Sequence, residues 1–276
     1  MSTSYRPQAI DTSIAADQLR FELLRQRSSQ TRLEMAAALN RSTRELSLCS
    51  LQQRFSELSS AAFARKVIQV WFGEHQWTEF IPGENMTQWI QDSLALAVQL
   101  HLIFAQLRVD YYITGGVAAT AYGEPRTTQD LDVVLNMIPE GLRQLVESLE
   151  LAGFYVPGVE DAVTGRTQTL QIIHQQTVMQ ADLMLSGSDE FDLVKLQRRQ
   201  LLSIPDRGVL YFASPEDVIL SKLQWRRFSQ SEKQWRDILG ILKTQTDKLD
   251  RAYLETWAMR LDVASDLEQA FQAAGL

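Results

Sequence analysis

The chain is short of the residues that most often build compact redox or zinc chemistry. Among 276 residues there is one cysteine, Cys49, and there are three histidines, His75, His101 and His174. A single cysteine forms no internal disulfide, so a reducing compartment, the cytoplasm, is the expected setting. The histidines are widely separated and lack ligand spacing, which argues against a zinc site. Long hydrophobic runs are missing as well. The most apolar stretch, Ser93 to Leu107, is interrupted by Gln99, His101 and Gln106 and is too short to span a bilayer. The opening MSTSYRPQAIDTS has no apolar core of the signal-peptide kind, so a soluble protein with no membrane association is expected. Nor is there an excess of positive charge: 27 Lys+Arg face 34 Asp+Glu, a formal net charge of −7. That balance argues against broad coating of nucleic acid.

What remains is an ordinary globular composition, 45% hydrophobic and 22% charged, over a length that buries a sizeable core. The charge is uneven. Residues 1–72 hold ten Lys+Arg against six Asp+Glu, or +4, which leaves −11 for the remainder (−7 − 4). Solvated helix faces account for this most simply; an acidic partner or RNA is the alternative.

Residues 13 to about 75 read as helical. Thr31 with Glu34, and Ser42 with Glu45, have capping-box spacing ahead of apolar runs, and Ser59 to Phe72 reads as a helix that Gly73 ends. Glu74 to Asn85 lacks periodicity and reads as a linker. A helix over about 87–108 carries Leu96, Leu100, Ile103, Phe104 and Leu107 on one face and leads into a strand, 109–114. Pro139 and Gly153 bracket a helix between them. The stretch TLQIIHQQTVMQADLML alternates as two strands with a turn near Gln175–Gln176. Ser214-Pro215-Glu216-Asp217 starts a helix, a second one carries Trp235, Ile238, Leu239 and Leu242, and a last one, from about 250 to 273, breaks near Asp262. The expected class is α+β: a small mixed-sheet core (86–210) between an N-terminal helical region (1–85) and a C-terminal one (211–276).

The chemistry concentrates in YYITGGVAATAYGEPRTTQDLDVVL, residues 111–135. A strand presents alternate residues to one face, so Asp130 and Asp132 share a side while Leu131, Val133 and Leu135 point into a core. Asp182 sits in the same outward register on a later strand, opposite Met179, Ala181, Leu183 and Leu185. Carboxylates side by side repel unless a cation joins them. Magnesium suits such a set, because it takes a few carboxylates and completes its shell with water and phosphate. The Gly115-Gly116 turn opens a helix whose free N–H groups favour a phosphate. The bland readings stand beside these. A D-x-D can be a solvated strand edge, Lys222 can snorkel to water, Asp237 can be a solvated helix acid, and Arg126 can anchor its own loop. Lys195, Arg198 and Arg199 read as ion pairs with nearby Asp189, Glu190 and Asp192, and Cys49 as a small buried group.

These residues also carry a resemblance. GG at 115–116, thirteen residues, then DLD at 130–132 resembles the core motif of the polymerase-β-like nucleotidyltransferase superfamily. Arg126-Thr-Thr-Gln-Asp130-Leu-Asp132 is similar to the R-x-T-x-D-x-D pattern of its abortive-infection (AbiE-type) toxin group. SPEDVILSKLQWRR and QWRDIL resemble that group's lysine and Arg-Asp motifs. The resemblance covers residues 95 to 245 and implies a nucleotidyltransferase-type core moving an NMP from an NTP to an acceptor hydroxyl on RNA, tRNA, a protein or a small molecule. It implies Mg2+ (or Mn2+) on Asp130, Asp132 and Asp182, with Asp182 as base. It further implies nucleotide contacts from Gly115, Gly116, Arg126, Thr128, Lys222 and Asp237, and a toxin-like role with an antitoxin-like partner. Two departures, Gly116 where many members have Ser and no second acid after Asp237, point to the alternative of a weak or inactive nucleotide- or partner-binding module.

Overall fold

The computed structural model describes residues 5–73, 80–83, 85–204 and 206–276. Helices Ile14–Arg25 (α1), Ser29–Arg54 (α2), Ser60–Phe72 (α3) and Ser93–Leu107 (α4) lead to strand Asp110–Ile113 (β1). Then come Gly115–Tyr122 (α5), Asp130–Asn136 (β2), Leu142–Leu151 (α6), Phe154–Tyr155 (β3) and Val159–Val163 (α7). The hairpin Thr169–His174 (β4) and Met179–Leu185 (β5) follows, then Glu190–Arg198 (α8), Gln200–Ile204 (β6) and Gly208–Phe212 (β7). Pro215–Ser229 (α9), Glu232–Gln245 (α10), Arg251–Arg260 (α11) and Ala264–Ala274 (α12) close the chain. The class is mixed α/β, with parallel and antiparallel strand pairs. Among the described residues no helix is long and apolar enough to cross a membrane.

Side-chain caps set several of the helix starts. Ser59 caps α3, and Gly73 ends it at a φ of +89°, as its sequence position implies. The expected helix over 87–108 starts later, at Ser93, because the Asp92 carboxylate accepts the N–H groups of Leu94 and Ala95. The two capping boxes do not start helices. Both lie inside α2, where the buried Leu33, Ala36, Ala37, Leu48 and Leu51 keep one stripe packed along the helix. The hydroxyl that does accept an N–H here is Ser28, from Thr31.

By its contacts the chain divides into two compact units that interleave along the sequence. One, here the acidic-strand unit, takes Ala37–Tyr111 and Thr127–Gly187. Its strands run in the order β3-β4-β5-β2, with β2 and β5 parallel and the other pairs antiparallel. Leu131, Val133 and Leu135 turn inward beneath α4. A core cluster joins Leu48 and Leu51 of α2, and Phe63, Val67 and Ile68 of α3, to Trp89, Ile173 and Val178. Part of the N-terminal helical region is therefore core of this unit. Of the expected linker, residues 74–79 and 84 lie outside the described residues. Its described part is packed: Phe80 is buried against Tyr155, and Gly83 N–H donates to the Gln175 carbonyl at 2.7 Å. Cys49, expected to be buried, is exposed on α2, one position from the buried stripe residue Leu48.

The other unit takes the chain up to Ala36, Tyr112–Arg126 and Ser188–Leu276. In it Ile113 of β1 pairs in parallel with Phe212 of β7, and β6 lies antiparallel to β7. Helices α5, α9, α10 and α12 pack together around α10. The Arg32 guanidinium donates to the Ala121 carbonyl at the end of α5 at 2.8 and 3.1 Å, and Gln245 donates to that of Tyr122. The break near Asp262 is present between α11 and α12, with Asp262 at a φ of +57°.

Candidate active site

Asp130 and Asp132 are half-buried on β2 and alternate with the buried Leu131 and Val133. In the parallel pairing of β2 with β5, Asp132 lies opposite Asp182 and Asp130 opposite Gln180. Neighbouring strands run about 4.8 Å apart, so in-register side chains on one face are adjacent. Two carboxylates thus meet across the ladder, and Asp130 follows two residues away on the same face, about 7 Å along the strand. The third strand contributes as well. Gln171 on β4 is in register with Asp182 and donates its Nε2–H to Asp182 Oδ1 at 3.2 Å. Gln171 carried no motif signal in the sequence; its place follows only from the hairpin register.

Among the described residues no group of three His, Cys, Asp or Glu side chains is arranged to enclose a metal. In the register Asp130 faces the amide of Gln180, and Asp132 alone of the two β2 acids faces a carboxylate. The pair Asp132/Asp182 still has the donor chemistry of a magnesium site. That ion needs one or two protein carboxylates and takes its other ligands from water and substrate phosphate. Thr128, two residues before Asp130, is held in place: its N–H donates to Asn40 Oδ1 at 3.1 Å and its hydroxyl to the Asp130 carbonyl at 3.2 Å.

In the other unit, Arg126, Lys222 and Asp237 come together. Arg126 clasps Asp237 through Nε–Oδ1 and Nη2–Oδ2, both 2.7 Å, and the Lys222 ammonium reaches Oδ2 at 2.8 Å and Gln234 Oε1 at 2.7 Å. Asp237 and Lys222 side chains are 5% and 6% exposed, which overturns both the solvated-acid and the snorkelling readings. Asp237 stands off the apolar stripe of α10, but that flank is covered by α9 and by the loop carrying Arg126. Burial alone would raise the Asp237 carboxyl; the Arg126 hydrogen bonds and the charges of Lys222 and Arg126 outweigh it and hold it below the usual carboxylate range. Gly115 and Gly116 open α5 in this same unit. Gly115 has a φ of +60°, a conformation glycine adopts without the Cβ penalty.

The basic cluster on α8 follows the local reading in part. Lys195 pairs with Asp192 at 2.7 Å, but Arg198 reaches the buried Glu216 on α9 instead of the nearby acids of its own helix. Arg199 lies over the Tyr211 ring.

No family model and no curated protein matches the chain. Among solved structures, an antigenic nucleotidyltransferase-like protein from Paracoccidioides brasiliensis is similar with a TM-score of 0.42 at 22% identity, over 65% of this chain and 91% of that one. The ANT(2")-Ia complex with adenylyl-2"-tobramycin is similar at 0.43 and 16%, over 64% and 97%. The lincomycin-bound lincosamide adenylyltransferase LnuA is similar at 0.37 and 15%, over 53% and 96%.

Proposed function

We propose that the chain is a divalent-metal-dependent nucleotidyltransferase whose reaction centre is the outer face of β2 and β5. The observation that supports this reading most is the in-register pair Asp132–Asp182. Directly opposed like charges destabilise a sheet. A divalent cation between the two carboxylates would offset that repulsion.

In this reading Asp132 and Asp182, with Asp130 two residues along β2 on the same face, would hold Mg2+ or Mn2+, and the ion would supply charge neutralisation at the transferring phosphate. The acceptor oxygen bonds to the α-phosphorus of the NTP, the bond from that phosphorus to the bridging oxygen breaks, and pyrophosphate leaves. Asp182 takes the acceptor's proton, with Gln171 orienting its carboxylate through Oδ1. The chain's contribution is positioning and electrostatics. Nucleotide contacts by Gly115, Gly116, Arg126, Thr128, Lys222 and Asp237 rest on the motif resemblance alone. So do the toxin-like role and an antitoxin-like partner. The acceptor hydroxyl belongs to RNA, a protein or a small molecule.

The test is incubation of the full chain with each α-labelled NTP, magnesium or manganese, and in turn tRNA, total RNA, lysate protein and a small-molecule extract. We expect a labelled product with at least one NTP, abolished by EDTA. Absence of label with all four NTPs contradicts the proposal. A second reading, a binding module without turnover, is favoured by one observation: the Lys222 ammonium is already engaged by Asp237 and Gln234. It predicts metal-dependent nucleotide binding with no labelled product.

A further inference from the structure

We infer that Asn40 and Arg44, one turn apart on α2, are positioning residues that fix where the two acidic strands begin. The inference deepens the transferase reading and rests on it for its catalytic meaning, though not for its geometry. Residues four apart on a helix share a face, so one stretch of α2 presents both side chains to the same neighbourhood. Asn40 is buried, at 8% exposure, and its Oδ1 accepts the Thr128 N–H. Thr128 in turn donates its hydroxyl to the Asp130 carbonyl, so a short polar chain runs from α2 to the first residue of β2.

Arg44 does the corresponding work at β5. Its Nη1 and Nη2 donate to the Val178 carbonyl at 3.1 and 3.2 Å, and Nη1 also donates to the Trp89 carbonyl at 3.0 Å. The guanidinium lies 4.6 Å from the centre of the Trp71 ring, and burial lowers its pKa to about 10. Val178 is the last residue of the β4–β5 turn, at a φ of +53°. A β-branched residue in the left-handed region is a backbone outlier that persists only where its surroundings hold it. Here its side chain is fully buried in the core cluster and its carbonyl takes two donors from Arg44. The turn sets the pairing of Gln171 with Asp182. A slip of one residue would send Asp182 to the opposite face of the sheet.

Arg44 and Asn40 therefore act on the acids through backbone, two residues ahead of Asp130 and four ahead of Asp182. In this account α2 is a brace for the acidic face.

Amide hydrogen exchange on the full chain, paired with Mn2+ titration in the presence of a non-hydrolysable NTP analogue, tests this. Asn40→Ala removes the acceptor and Asn40→Asp keeps one. We expect exchange over 127–131 to rise about tenfold in Asn40→Ala, as when one hydrogen bond is lost locally, with α6 unchanged and Asn40→Asp close to the parent. Nucleotide-dependent Mn2+ affinity falls about 10–100-fold in Asn40→Ala, the usual size of an outer-shell effect, and is retained in Asn40→Asp. Arg44→Lys, which loses the two-pronged grip, raises exchange over 178–182 and serves as a second variant should Asn40→Ala not fold. Unchanged exchange at these segments overturns the inference. So does a uniform loss of protection across the unit, or altered exchange with parental Mn2+ affinity. If exchange responds as expected and the parent itself takes up no Mn2+ with nucleotide, the brace stands and the transferase reading fails.

Discussion

Asp132→Asn lowers turnover about a thousandfold or more while changing stability by less than about 1 kcal/mol. The first half follows from its proposed role: losing a metal-holding carboxylate at the transferring phosphate would remove several kcal/mol of charge stabilisation, and about 4 kcal/mol is a thousandfold in rate. The second half follows from the register. Asp132 opposes Asp182 across the parallel ladder, where like charges repel by roughly 0.2–1 kcal/mol, and asparagine keeps the shape and hydrogen-bonding capacity of the side chain. A purely structural acid would show the reverse, with little change in rate and a loss of stability. Rate assays on the labelled product, with thermal unfolding of the metal-free protein, read both halves.

Asp237→Ala destabilises the fold by about 3 kcal/mol, because it removes the buried counter-ion shared by the half-buried Arg126 and the buried Lys222. Denaturant unfolding of the parent and the variant measures this. The pH dependence carries the same information. The folded-state pKa of Asp237 is depressed, so its contribution is fully present above the unfolded carboxylate value of about 4. It is lost as pH falls from there through the folded value. Asp237→Asn therefore loses stability at neutral pH and shows a flatter dependence below pH 4 than the parent. Equal stability of parent and Asp237→Ala would mean that the cluster does not hold Arg126 and Lys222 as described.

The alternation of 130–135 and 178–185 was enough to place three acids outward, since a strand's period leaves no other choice once the apolar face is known. Their mutual register across β2 and β5 was not legible, nor was the register that sets Gln171 of β4 beside Asp182. A turn centred at Gln175–Gln176 pairs the strands two positions away from the observed register. The chain instead spends four residues, Gln175 to Val178, on the turn. Val178 has no turn signature; its left-handed backbone coincides with contacts made only in the folded chain, to Arg44 and to the core around it. Asp237 was misread for a related reason. A helix's own apolar stripe says nothing about a second flank covered by another segment's charges. The brace from α2 was invisible because Asn40 and Arg44 lie in a helix rich in polar residues, and only tertiary contact distinguishes them. The outward acids, the strand–helix sequence around them and the break at Asp262 came from local pattern, whereas every long-range polar contact required the fold.

The most direct test of the central claim is calorimetric titration of a non-hydrolysable NTP analogue into the parent and into Asp132→Asn, with magnesium and then with EDTA. The account predicts binding to the parent that requires magnesium and is lost in Asp132→Asn. Binding of equal affinity in EDTA, undiminished by Asp132→Asn, would contradict it.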